Sequence, residues 1–204
     1  LVQFLTGLTW RPDKGEYGAL FLLINTVFTG VMSAIIAYPI AVLTALYIVK
    51  VASKKKARLM QSVIEVLAAV PSVVYGVFAS GVIVSFVQKL ANIFAYPSYG
   101  GRSVLSVILL LVMMILPSMI SLSIIAFTGL DEDVEMGSYA LGASKMETYF
   151  HVLIPAARPS LMTGLALALS LAFGEATAVS MVAGNRMHGP SFHPFQITRT
   201  ITST

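Results

Sequence analysis

From Tyr17 to Val49 the chain runs for 33 residues without a charged side chain, where about 20 apolar residues suffice to cross the roughly 30 Å hydrocarbon core of a bilayer. Lys50, Lys54, Lys55, Lys56 and Arg58 close that run. A second apolar stretch, Gln61 to Gln88, is interrupted only by Glu65. A polar break with Asn92, Pro97, Gly100, Gly101 and Arg102 then precedes 28 uncharged residues from Ser103 to Leu130. After the mixed stretch Asp131 to Arg158, the run from Pro159 to Asn185 contains one charge, Glu175. The pattern predicts a single transmembrane domain over residues 1–204, with spans at about 20–49, 61–88, 103–129 and 158–184 and a polar segment at about 130–157.

Composition agrees with lipid as the solvent. The chain is 57% hydrophobic and 11% charged, with mean hydropathy +0.86, against about 45–50% apolar and about 25% charged in soluble domains. The same figures exclude intrinsic disorder. A net charge of +4 does not point to nucleic acid, because five of the thirteen basic residues fall within Lys50 to Arg58 and the rest are scattered. That cluster is a topology signal: Lys and Arg in short loops are retained in the cytoplasm. The Lys50–Arg58 loop is therefore expected inside, as is the segment 130–157 two spans later. The Lys89–Arg102 loop and both end pieces are expected outside. The start at Leu1 and the stop at Thr204 in a threonine-rich stretch lead us to expect a fragment.

Enzymatic patterns are missing. Cysteine is absent, which removes disulfides, thiolate metal sites and a cysteine nucleophile. There is no HExxH, GxSxG or Walker A sequence. His188 and His193 fall in a proline-rich outer loop, and His151 stands alone in the inner segment. No catalytic residue and no metal site is expected.

The inner segment reads as two short helices. Asp131 is placed to cap the first, Glu132, Asp133 and Glu135 suit the positive end of its dipole, and Gly142 is a C-terminal stop. Ser144-Lys145-Met146-Glu147 has capping-box spacing. The second helix is expected to end by Ile154, since Pro155 disfavours helical geometry before it. Met146, Tyr149, Phe150 and Leu153 would form its apolar stripe, lying either on the protein's own helix ends or in another protein.

The residues here resemble a known family. Tyr139-Ala140-Leu141-Gly142-Ala143-Ser144 followed by Leu153-Ile154-Pro155-Ala156-Ala157-Arg158-Pro159 is similar to the cytoplasmic EAA loop of ABC importer permeases. Phe173-Gly174-Glu175-Ala176-Thr177-Ala178-Val179 with Ala183-Gly184-Asn185 resembles the "LGET-AV … GN" stretch of phosphate importer permeases. Glu65-Val66-Leu67-Ala68-Ala69-Val70-Pro71-Ser72-Val73-Val74-Tyr75-Gly76 resembles their "IELLAGIPSVVYG". Trp10, Gly15 to Leu20 and Met114-Ile115-Leu116-Pro117 fit as well, so the likeness to the PstC-type permease family covers nearly the whole chain.

The resemblance implies an all-α integral membrane protein, a polytopic helical bundle of the MetI-like ABC type I importer permease fold. Four of its six spans would be present and the first and last missing. It implies a subunit of an ATP-driven phosphate importer in a bacterial or archaeal cytoplasmic (inner) membrane. The partners would be a second, PstA-like permease, two ATP-binding subunits and an extracytoplasmic phosphate-binding protein, besides membrane lipid. No cofactor belongs to this chain; ATP and Mg would be bound by the partner subunits. The coupling loop would use Gly142, Ala143, Ser144, Glu147, Tyr149 and Phe150. Glu175 would lie on the translocation pathway, with Arg199 meeting an anion at its outer mouth and Arg102 a further outer candidate. Glu65 is expected to be anchored by Lys54, Lys55 or Arg58.

Two positions depart from the family pattern. The usual EAA glutamate falls on Met136, with Glu135 one place early, and the arginine of the family's "RALGET" is Leu171. A permease for another anion, an ion-coupled secondary transporter in which Glu175 carries a proton, and a structural membrane scaffold are the competing readings. The secondary transporter would work without an ATPase partner, and the scaffold would need neither the docking stripe nor the buried acid.

Overall fold

The longest uncharged run forms one helix, α1 (Leu20–Val51), of 32 residues, about 48 Å long at 1.5 Å per residue. Its last turn widens to π-type hydrogen bonding over Tyr47–Val51. The structure, a computed structural model, describes residues 6–11, 16–97, 100–187 and 189–203; Gly15 and His188, singled out in the sequence, lie outside the described residues. One face of α1 is buried, and small side chains make up much of it: Asn25, Thr26, Thr29, Ser33 and Ala34 in its first half, Ala37, Ala41 and Ala45 in its second. In lipid no hydrophobic drive brings helices together, so small residues that let backbones approach, and hydroxyls that find carbonyls, hold them. The hydroxyls of Thr26, Thr29 and Ser33 donate one turn back to the carbonyls of Leu22, Asn25 and Thr29 at 2.7, 2.8 and 2.6 Å.

The predicted second span, 61–88, is not one helix. Helix α2 (Lys54–Ala68) stops before Pro71, and α3 (Ser72–Ile93) begins after it. Pro71 lacks a donor and pushes Val70 out of the helical region, which accounts for the break. The basic residues Lys54 to Arg58, expected in a loop, lie in the first turns of α2. The third span is α4 (Val104–Thr128), with Pro117 inside it. Its first amides are capped from far along the chain: Ser103, Val104 and Leu105 donate to the carbonyls of Val182, Gln196 and Pro194 at 3.2, 2.8 and 2.9 Å.

Helix α5 (Glu132–Ala140) is capped by Asp131, whose side chain accepts from Asp133 N at 3.1 Å, and Gly142 at φ +86° turns the chain. The next helix departs from expectation. It does not end by Ile154 but continues as α6 (Lys145–Gly174), 30 residues through Pro155 and Pro159. A π-type turn at Thr148–Leu153 sits directly before Pro155, and such a widened turn is where a helix accommodates a proline's missing donor and its clash with the preceding carbonyl. The predicted fourth span, 158–184, is broken at Glu175 and Ala176, after which α7 (Thr177–Ala183) follows.

A two-residue ribbon, β1 (Trp10–Arg11) against β2 (Glu16–Tyr17), is antiparallel and precedes α1. Among the described residues α1, α3, α4 and α6 are long and apolar enough to cross a membrane; the protein is a multi-pass, all-α membrane protein. Its described residues group into two compact units, one lying within the bounds Leu1–Ile35, Val70–Met114 and Leu169–Thr204, the other within Ile36–Ala69 and Ile115–Ala168.

Candidate functional site

In the first unit the chain after α7 turns back on itself through Gly184 (φ +85°) and Asn185 (φ +57°), and Thr198 N donates to Ala183 O at 2.8 Å. The returning strap is held by α1. Asn25 is fully buried, and its amide works at both ends: Nδ2 donates to Arg199 O at 3.0 Å and Oδ1 accepts from Ser191 N at 2.8 Å. Thr26 Oγ1 accepts from Ile201 N at 3.0 Å. Sequence reasoning missed both residues. The signal was a lone amide in an uncharged run, which in lipid has to find partners.

Glu175 occupies the break between α6 and α7. Its Oε1 accepts from Ala178 N at 2.9 Å, capping the first turn of α7, and Thr202 Oγ1 donates to its carbonyl at 2.8 Å. The strap that carries Arg199 is therefore tied to the break that carries Glu175. The two side chains form no ion pair with each other. Arg199 Nε is buried with no hydrogen-bond partner, and burial pushes its guanidinium down from the usual arginine value. A buried donor without a partner is costly, and here the donor is cationic, on the strap that Thr202 ties to the break. Arg102 is exposed, and Leu171, where the resemblance has arginine, is 56% exposed. Helices α3 and α7 pack closely at Gly76, where an added Cβ would lie 2.9 Å from Ala178 Cα.

The other predicted residues fall in the second unit. Ser144 and Glu147 form the capping box, with Glu147 N 3.3 Å from Ser144 Oγ and Ser144 N 2.8 Å from Glu147 Oε2. Gly142, Ser144 and Glu147 are exposed and Ala143 is half-buried. The expected stripe divides. Tyr149 and Leu153 face inward, at 7% and 0% exposure, while Phe150 faces outward at 43%. The exposed apolar side chains of this segment are Val134, Met136, Leu141, Met146 and Phe150. Glu65 pairs with none of Lys54, Lys55 or Arg58: Arg58 is seven residues away, two turns and so beyond the reach of a helical pair. It lines a cavity of about 240 Å³ with Gln61, Ile64, Ser121, Ile124 and Ile125.

Lys50 instead pairs with Glu135. Tyr139 donates to the other carboxylate oxygen at 3.0 Å, and Tyr149 donates to Lys50 O at 3.4 Å. Burial pushes Glu135 up, but the hydrogen bonds from Lys50 and Tyr139 and the Lys50 charge outweigh it and hold the carboxyl below the usual carboxylate range. Tyr139 is pushed up to about 12, by burial first and then by its bond to Glu135 and the charge there.

Known proteins match along nearly all of this length. The family described as binding-protein-dependent transport system inner membrane component matches residues 37–199. The probable ABC transporter permease protein YqgH of Bacillus subtilis (strain 168) is 38% identical over 204 residues, covering 99% of this chain and 64% of the relative. The phosphate transport system permease protein PstC of Mesorhizobium japonicum is 31% identical, covering 99% and 66%. The chain thus spans just under two thirds of the length of these relatives. Among solved structures, the MetNI methionine ABC transporter in inward-facing conformations matches with a TM-score of 0.57 at 19% identity, covering 81% of this chain and 71% of that one. At that identity the likeness is one of fold.

Proposed function

Because the chain belongs to the binding-protein-dependent transport system inner membrane component family, we propose that it is a permease subunit of an ATP-driven phosphate importer of a bacterial or archaeal inner membrane. It forms the pathway with a second permease, receives phosphate from an extracytoplasmic binding protein, and couples through 130–157 to two ATP-binding subunits that hold ATP and Mg. It has no ATPase site of its own, in keeping with the absence of a GxxxxGK phosphate cradle. Phosphate as the substrate is supported by the relatives named for phosphate transport. The observation in this chain that carries the reading is Arg199, whose Nε is buried without a hydrogen-bond partner on the strap that Thr202 ties to Glu175. A planar fork of donors is the side chain suited to a phosphate oxyanion. The exposed Leu171 favours a second reading, a permease for another oxyanion, because this half then offers one arginine fewer.

Radiolabelled phosphate uptake by the full-length permease with its partners tests both readings. Arg199→Gln is expected to raise KM for phosphate with the amount of assembled complex unchanged, and excess unlabelled phosphate, but not sulfate or molybdate, should suppress uptake. Unchanged KM removes Arg199 from the pathway; suppression by another oxyanion alone selects the second reading.

A further inference from the structure

Helix α5 and the start of α6 carry the residues read above as the coupling segment, and what holds them to the membrane-spanning part is specific. Lys50 lies in the widened last turn of α1, half-buried at 20% side-chain exposure, and Glu135 on α5 is 19% exposed. Both oxygens of the Glu135 carboxylate are used, one by Lys50 and the other by Tyr139 one turn further along α5. Tyr149, at the start of α6, donates to the carbonyl of the same Lys50, one of the carbonyls that a helix end leaves without an internal partner. Ser138 and Thr148 join α5 to α6 directly, hydroxyl to hydroxyl at 2.9 Å. Two side chains from two helices, Glu135 and Tyr149, therefore converge on one residue of α1, and Tyr139 orients the first of them. The position next to Glu135 shows the same choice from the opposite side: Met136, about 100° further round the helix, is 65% exposed.

We propose that Glu135, paired with Lys50 and steadied by Tyr139 and Tyr149, is the joint through which the coupling segment and the end of α1 move as one body. The joint rests on the reading of 130–157 as the coupling segment, and it assigns that transmission to a residue pair rather than to apolar packing alone. A half-buried pair with both partners hydrogen-bonded loses its geometry when either charge is removed, because the remaining one is left desolvated. Apolar burial is non-directional, whereas a carboxylate with a separate partner on each oxygen has a defined orientation. Tyr139 and Tyr149 are positioning residues here: they orient Glu135 and the Lys50 carbonyl without meeting substrate or nucleotide.

The test uses the full-length permease with its partner subunits in proteoliposomes and reads phosphate transported per ATP hydrolysed. Lys50→Glu and Glu135→Lys should each lower that ratio by about fivefold or more, the lower end of usual coupling energies, while ATP-binding subunits still co-purify. The double exchange should recover most of it. Glu135→Gln and Tyr139→Phe, which keep the shapes, should fall between and cover the case in which a charge reversal prevents assembly. An unchanged ratio in Glu135→Gln, or a double exchange no better than the single variants, overturns the joint. Loss of co-purification in Leu141→Asp tests the docking reading separately, since Leu141 is outside the pair.

Discussion

At Glu175 two roles occupy one carboxylate, and the neutral isostere separates them. Glu175→Ala removes the acceptor for Ala178 N and should cost about 0.5–2 kcal/mol, the usual range for a lost cap, seen as a lower melting temperature of the purified complex. Glu175→Gln keeps an oxygen in the same place, so the melting temperature should stay near wild type, and any loss of uptake then reports the charge. Uptake by the Gln variant equal to wild type would assign Glu175 to capping alone. Asn25 makes the complementary case, because its work is all hydrogen bonding. Asn25→Leu leaves Ser191 N and Arg199 O without their partner, at about 1–3 kcal/mol for each unsatisfied group. The strap around Arg199 should become sensitive to limited proteolysis in purified complex before the helices melt; equal protease resistance would show that Thr26 and the α4 amides suffice to hold it.

At the scale of elements, the division of the α6 stripe changes what a truncation means. Tyr149 is packed inside, so Tyr149→Ala is expected to destabilise by about 3–5 kcal/mol, as for a buried aromatic, and to lower the yield of folded permease. Phe150→Ala should leave yield intact and reduce co-purification of the ATP-binding subunits; equal effects of the two in a pull-down would contradict the division. The α5 joint has a pH signature. Glu135 has its carboxyl held below the usual range by Lys50 and Tyr139, so the stability it contributes is present above the ordinary carboxylate pKa and is lost as pH falls through the lowered folded value. Between pH 7 and pH 4 the wild-type melting temperature should therefore drop more than that of Glu135→Gln. The caps of this segment, Asp131 and the Ser144–Glu147 box, were readable in the sequence because they are local, spanning two or three residues. Two prolines have outcomes that the sequence did not distinguish. Pro71 breaks its span, while Pro155 is carried inside a helix by a widened turn and by buried neighbours such as Leu153 and Ala157. Proline's local preference is the same at both sites, and tertiary packing decides the outcome. Contacts between distant positions, Asn25 with Arg199 or Lys50 with Glu135, leave no pattern in spacing. A polar residue in an apolar run announces that a partner exists without naming it.

For the whole molecule, the side of the membrane on which the coupling segment lies was first inferred from the count of basic residues in short loops. The structure supplies an independent constraint. Lys50 meets Glu135 and Tyr149 directly, so the end of α1, α5 and the start of α6 must share one face of the bilayer whatever the loop charges say. Between Ser53 and Ser144 lie two span-length helices, α3 and α4, an even number that returns the chain to the side it left. Between Ser53 and Pro97 lies one. Ser53, Ser144 and Pro97 are all exposed, so single cysteines introduced there in this cysteine-free chain can be labelled without unfolding it. Ser53→Cys and Ser144→Cys should be protected from an impermeant maleimide in intact cells and react in inverted vesicles, whereas Pro97→Cys should do the reverse. The pairing of Ser53 with Ser144 tests the Lys50–Glu135 contact, and the side on which the pair reacts tests orientation. Labelling of both from outside would preserve the contact but deny the segment access to ATP-binding subunits, and opposite labelling of the two would break the contact itself.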